Sequence, residues 1–163
     1  VNAVRTLLKE RPELKDMVSE KPWDISWFIA TGVANHQQGY AVDVSVARGH
    51  SVVVQETGQY HYTRVEEYEC YETPSPIHEL STASVTFVAP VSSFSLTAWE
   101  SAQPSPAMNE AAFGLQRYCT QAGLTPLASE WWHFNDLHSY FAVQDNLGQG
   151  NFVIDCCLST APA

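Results

Sequence analysis

The chain has 163 residues and a mass of 18.1 kDa, with 45% hydrophobic and only 16% charged residues. That balance excludes a disordered tail and a coiled coil, and it supplies enough apolar surface for one hydrophobic core without staples. Eighteen acidic against eight basic residues give a net charge of −10, which argues against a phosphate-backbone partner such as nucleic acid, and no apolar run approaches the ~20 residues of a membrane span.

In chain order, residues 1–20 carry helical spacing at Val4, Leu7, Leu8, Leu14, Met17 and Val18, with Pro12 splitting or kinking the helix. A loop-like stretch runs from Lys21 to Gln38. The segment Tyr40 to Val46 alternates as a strand, with Val42, Val44 and Val46 on one face and Ala41, Asp43 and Ser45 on the other. Arg48-Gly49 reads as a turn, Ser51 to Gln55 as the returning strand and Gln59 to Arg64 as a third. Glu66 to Ser81, with Pro74 and Pro76, reads as an ordered loop, and Ser84 to Ala89 as a strand.

The clearest helix runs from Pro106 to Ala122, capped by Ser105, ended by Gly123, and buried along Met108, Ala111, Ala112, Leu115 and Cys119. Ser129 to Phe134, Ser139 to Val143 and Asn151 to Cys157 read as strands, with a turn over Asp145 to Gly150. Short-turn strands with helices before and between them predict an α+β fold: a central antiparallel sheet with flanking helices. Cys70, Cys119, Cys156 and Cys157 lack C-x-x-C spacing; their even number allows two disulfides or buried free thiols, and strand parity argues against a vicinal Cys156–Cys157 bond.

Two segments carry chemistry. In the first, His36-Gln-Gln-Gly-Tyr-Ala-Val-Asp43, Asp43 lies on the face of its strand that bears small residues and needs a cationic partner. His36 is an odd number of residues away, and Gln37-Gln38-Gly39 can bend its imidazole round to Asp43. The second, Glu130-Trp131-Trp132-His133-Phe134, places a carboxylate and an imidazole among aromatic residues at a strand end or bend. Jointly they supply three ligands for Zn2+, His36, Asp43 and His133, plus Glu130 as a general base beside an open position. Trp23, Trp27 and Phe28 read as core, and His50, His61 and His138 as surface residues.

The joint pattern H-x-x-G-x-A-x-D followed far downstream by E-x-W-H resembles the zinc D-alanyl-D-alanine peptidases, the VanX-type dipeptidases and VanY-type carboxypeptidases that share a fold with the Hedgehog signalling domain. It is met here by His36, Gly39, Ala41, Asp43, Glu130, Trp132 and His133, and spans roughly residues 27–134. The resemblance implies a Hedgehog/DD-peptidase-like fold in a single zinc peptidase domain over 1–163. It implies His36, Asp43 and His133 as zinc ligands, Glu130 as base, and cleavage of D-alanyl-D-alanine bonds in peptidoglycan peptides or the dipeptide; the expected location is the cell envelope or outside the cell, with the cytoplasm as the alternative. Trp131 or Trp132 would wall the pocket for the terminal methyl group.

Three departures qualify what the resemblance implies. The family's Ser-x-His is Ala34-Asn35-His36 here, so Asn35 stands in the substrate-contacting stretch. Thr73-Pro-Ser75-Pro-Ile77-His78 resembles the family's M-G-T-x-F-D segment, which puts Ser75 and His78 at substrate-binding positions. Its aspartate, which meets a free amine in dipeptidases, becomes His78, favouring a longer peptide. The family's upstream Tyr-Arg-Pro segment is not spelled out before His36, so the N-terminal part of the family domain is expected to be missing. Two alternatives follow: a peptidoglycan endopeptidase of the same fold, or a zinc-bearing module that binds cell-wall peptide without turnover.

Overall fold

A computed structural model describes residues 6, 7, 9–14, 21–30 and 34–142. The expected strand at 151–157, the turn before it, and Cys156 and Cys157 lie outside the described residues, as does much of the expected N-terminal helix. Thr6, Leu7, Lys9 and Glu10 are helical, and a short 3-10 turn follows at Pro12–Leu14, where proline's missing N–H stops an α-helix from continuing.

The fold is α+β with antiparallel sheets. Its elements are β1 (Ala41–Asp43), β2 (Ala47–Thr57), β3 (Tyr60–Cys70), α1 (Glu110–Gln121), β4 (Thr125–Leu127), β5 (Glu130–Asn135) and α2 (Leu137–Ala142). Three strands form one sheet in the order β1-β5-β4, and β2 and β3 pair in a second sheet. Pro126 sits on an edge strand, where a missing N–H costs no ladder bond on the open side. Central β5 is buried on both faces, which is why adjacent Trp131 and Trp132, on opposite faces, are both buried.

The core has two clusters. In the first, Trp131, Trp132 and Phe134 of β5 pack with Met108, Ala112 and Leu115 of the α1 region, and Val44, Val46, Ile77 and Cys119 close over them. In the second, Trp23, Phe28, Val85, Phe87 and Ala128 pack together, with Trp27 and Trp99 at the margin. Burying an aromatic or aliphatic side chain of this size stabilises the fold by about 1.5–3 kcal/mol, so β5 is the most strongly held strand of the three.

Several expectations are corrected. The Arg48-Gly49 turn is absent, because β2 runs through these residues from Ala47 and the hairpin turns instead at Gly58, whose φ is +60°. The third strand continues to Cys70, so the acidic run Glu66, Glu67 and Glu69 lies on an exposed strand. The first strand is only Ala41–Asp43, and Val42 is exposed while Val44 and Val46 pack on the core, because regular alternation breaks after Asp43. Residues 84–89 form no regular strand. They run beside residues 127–131 through bonds such as Thr86 N–H to Ala128 O (2.9 Å) and Trp131 N–H to Ser84 O (3.0 Å).

Helix α1 begins at Glu110. Asn109 is its N-cap and accepts the Ala112 N–H at 3.1 Å, while Ser105 is spent on a local turn, accepting the Ala107 N–H at 3.2 Å. The helix ends at Gln121, before Gly123 as expected, and Ala112 and Leu115 form its buried face. Residues 139–142, expected to be extended, belong to α2, whose first turn is held by Asp136 accepting from the Ser139 N–H (2.9 Å) and hydroxyl (2.6 Å). Cys70 and Cys119 are free thiols.

Candidate metal centre

The site is assembled by one turn and one strand pair. Gly39, with φ at +79°, closes the turn after His36 and folds the imidazole back onto the following strand, as the sequence predicts. The β1–β5 ladder pairs Asp43 with His133 and Ala41 with Asn135, so these four side chains share one face of the sheet. Glu130 lies at the start of β5, where the pairing with β4 shifts register; this irregularity lets its carboxylate reach His133 although strict alternation would separate them.

Three donor atoms converge. His36 Nε2 lies 3.1 Å from His133 Nδ1 and 3.1 Å from Asp43 Oδ1, and His133 Nδ1 lies 3.2 Å from the same oxygen. A tetrahedral ion with bonds of about 2.0–2.1 Å separates its ligands by about 3.3 Å, so the spacing fits a small divalent metal. Asp43 Oδ1 is buried and makes no hydrogen bond despite its two close nitrogens. A cation placed between them would satisfy this oxygen and both ring nitrogens at once. The group His36, Asp43 and His133 can therefore hold a metal ion.

The remaining ring nitrogens are already committed. His36 Nδ1 is 3.1 Å from the Ala41 carbonyl and His133 Nε2 is 3.0 Å from Asn135 Oδ1, so each imidazole donates outward, and in its neutral form turns its other nitrogen's lone pair inward. Asn135 Oδ1 also accepts from Asn35 Nδ2 at 2.9 Å, and Asn35 Oδ1 accepts the Tyr40 hydroxyl at 2.7 Å. Burial lifts the Tyr40 phenol, helped by neighbouring Tyr140, to about 12.

Charge at the centre is strongly coupled. Burial opposes protonation of His133 and is the largest single influence on it. The acceptor oxygens of Asp43, Glu130 and Asn135 beside the ring, with the negative charge of Glu130, together outweigh it and push the imidazole up to about 9. Burial likewise tends to raise Asp43, but the bond to His133 and the nearby His36 and His78 hold its carboxyl below the ordinary value. The site favours positive charge.

A cavity of about 750 Å3 opens over these groups, lined by His36, Asp43, Glu130 and His133, by Asn35 and His78, and by an apolar wall that includes Trp27, Phe28, Leu80 and Leu127. Glu130 Oε2 lies 3.4 Å from His133 Nδ1, which places a second carboxylate beside the converging donor atoms. The structure thus brings together His36, Asp43, Glu130, His133, Asn35 and His78.

It does not bring Trp131, Trp132 or Ser75 to the cavity. Both tryptophans are buried in the core, at 1% and 0% exposure, because the central strand is covered on each face. Ser75 is also buried, and its hydroxyl accepts the Trp131 indole N–H at 3.1 Å. Tyr40 and Asn135 escaped the sequence analysis. Asn135 was findable: it is two residues beyond His133 on one strand, hence on the same face. Trp27 and Phe28 serve the core as expected and also wall the cavity. His50 and His61 are exposed and pair with Glu69 and Glu56, and His138 is exposed.

No family model matches the chain, and no curated protein or solved structure matches it. Among the described residues no helix is long and apolar enough to cross a membrane.

Proposed function

We propose that the protein is a zinc-dependent peptidase that hydrolyses D-alanyl-D-alanine bonds in peptidoglycan stem peptides or their precursors, with a Hedgehog/DD-peptidase-like fold. The observation that carries this reading is the convergence of His36 Nε2, His133 Nδ1 and the buried Asp43 Oδ1 beside a second carboxylate, Glu130, in an open cavity. Two imidazoles and one carboxylate with an adjacent spare carboxylate are the donor set of a hydrolytic zinc site. The resemblance of the two motifs to the zinc D-alanyl-D-alanine peptidases supports the substrate class.

Zinc, when bound, supplies a Lewis acid that acidifies water and offsets negative charge developing on the substrate carbonyl oxygen. His36, Asp43 and His133 would hold it, with the outward N–H bonds to Ala41 and Asn135 fixing both rings. Glu130, whose side chain is only 15% exposed, accepts the proton of the attacking water and returns it to the leaving amine. The wall of Trp27, Phe28 and Leu127 shields the reacting bond from bulk water and accepts small apolar substituents. At its edge His78, rather than a carboxylate, faces the substrate, which favours an acylated peptide over a dipeptide with a free amine.

A non-catalytic zinc-bearing module that binds cell-wall peptide is the second reading. It is favoured by one observation: none of the described residues lining the cavity is lysine or arginine to stabilise an oxyanion. The two are separated by incubating the zinc-loaded protein with an acylated peptide ending in D-alanyl-D-alanine. Release of D-alanine that stops on chelation and resumes with zinc supports the peptidase, whereas zinc-dependent binding with no release supports the module.

A further inference from the structure

We infer that His78 is a positioning residue for the metal centre, holding the outer oxygen of Asp43 so that the inner one faces the ion. This inference rests on the zinc-binding part of the reading above. His78 Nδ1 faces Asp43 Oδ2 at 3.8 Å, an ion-pair distance beyond that of a direct hydrogen bond, while Asp43 Oδ1 is the atom that converges with His36 and His133. A carboxylate that binds through one oxygen is free to rotate and bind through the other unless its second oxygen has a partner. Outer partners of this kind fix ligand orientation in metal sites.

The backbone points the same way. Pro76 to Glu79 form a turn closed by the Glu79 N–H on the Pro76 carbonyl (3.3 Å), and His78 is its third residue, with φ at +69°. A turn of this form asks for glycine or asparagine there, because a Cβ crowds the backbone in the left-handed region. Histidine is held in that conformation by the surroundings. Ile77 packs on the first core cluster, Ser75 accepts the Trp131 indole N–H, and the His78 ring stands edge-on to Trp132, with centroids 6.2 Å apart. The loop is thus tied to the same strand that presents Glu130 and His133. Backbone strain kept in place by anchors on both sides, at the rim of a site, is the pattern expected where a side chain has work at that site. It also gives Ser75 and Trp131 a part: they set the loop.

Three proteins test this, each measured for zinc affinity by chelator competition and for the melting temperature of the metal-free form. His78→Gly suits the backbone and removes the ring. His78→Asn suits the backbone and keeps an N–H donor at the position of Nδ1. The expected result is zinc affinity weakened about 10–100-fold in His78→Gly, with a metal-free melting temperature no lower than that of the parent. His78→Asn should recover most of the affinity. The inference is overturned if His78→Gly binds zinc as the parent does, or if its affinity and melting temperature fall together while His78→Asn restores neither. A parent protein that binds no zinc overturns the metal reading itself, and this inference with it.

Discussion

Asp43 and His133 stand opposite each other on β1 and β5, with Asp43 Oδ1 3.2 Å from His133 Nδ1. The pair is a cross-strand contact, so the group that can hold a metal ion and the sheet depend on the same ladder. Asp43→Asn changes one carboxylate at the cavity and leaves the apolar burial of Trp132 and Phe134 untouched. Asp43→Asn is expected to fold and to lose zinc affinity together with any turnover. Circular dichroism alongside zinc titration checks this; an Asp43→Asn protein with parental zinc affinity speaks against Asp43 as a ligand.

Glu130 is expected to behave differently. Its carboxylate sits 3.4 Å from His133 Nδ1 but outside the converging triad, so Glu130→Gln should keep zinc and lose about 10²–10⁴ in turnover number, the usual worth of general-base help. Steady-state kinetics beside metal analysis gives the answer. Parental turnover in Glu130→Gln would remove it from the mechanism.

Asn135 joins the two motifs, accepting from His133 Nε2 (3.0 Å) and Asn35 Nδ2 (2.9 Å) while fully buried. Asn135→Ala leaves both donors without their acceptor, which is expected to cost about 1–3 kcal/mol of stability. It also frees the His133 ring, with a loss of about tenfold or more in zinc affinity. Chemical denaturation and zinc titration of the variant measure the two effects, and no change in either would mean that His133 is oriented by something else.

Tyr40 gives a pH dependence whose sign is fixed. Its phenol is lifted from 10.0 to about 12 in the folded protein, chiefly by burial and then by Tyr140. A raised folded pKa means that its contribution to stability is complete below pH 10 and is lost as pH rises toward and through about 12. Tyrosinate absorbance should show one late-ionising phenol that disappears in Tyr40→Phe. If that variant leaves the late step in place, the buried hydroxyl belongs to another tyrosine.

The group His36, Asp43 and His133 that can hold a metal ion was legible in the sequence because its residue types are rare together and its turn is marked by Gly39. Spacing alone could show that His36 is able to bend back to Asp43, but not that residue 43 pairs with residue 133, a long-range register that core packing decides. The aromatic pair misled for a related reason. Trp131 and Trp132 look like pocket walls beside a histidine, yet a strand buried on both faces spends both on the core. The errors in the hairpin and in residues 84–89 are also physical: valine-rich β2 extends through Arg48 and Gly49, and residues 84–89, strand-like in composition, meet an irregular neighbour. At residues 139–142 local propensity was overruled by the Asp136 cap that starts α2.

The central claim is that His36, Asp43 and His133 hold one zinc ion. Elemental analysis of the zinc-equilibrated, gel-filtered protein, set beside His133→Ala, tests it most directly. Close to one zinc per chain is expected in the parent, and a large loss of bound zinc in the variant. Full occupancy in His133→Ala, or no bound zinc in the parent, would contradict it.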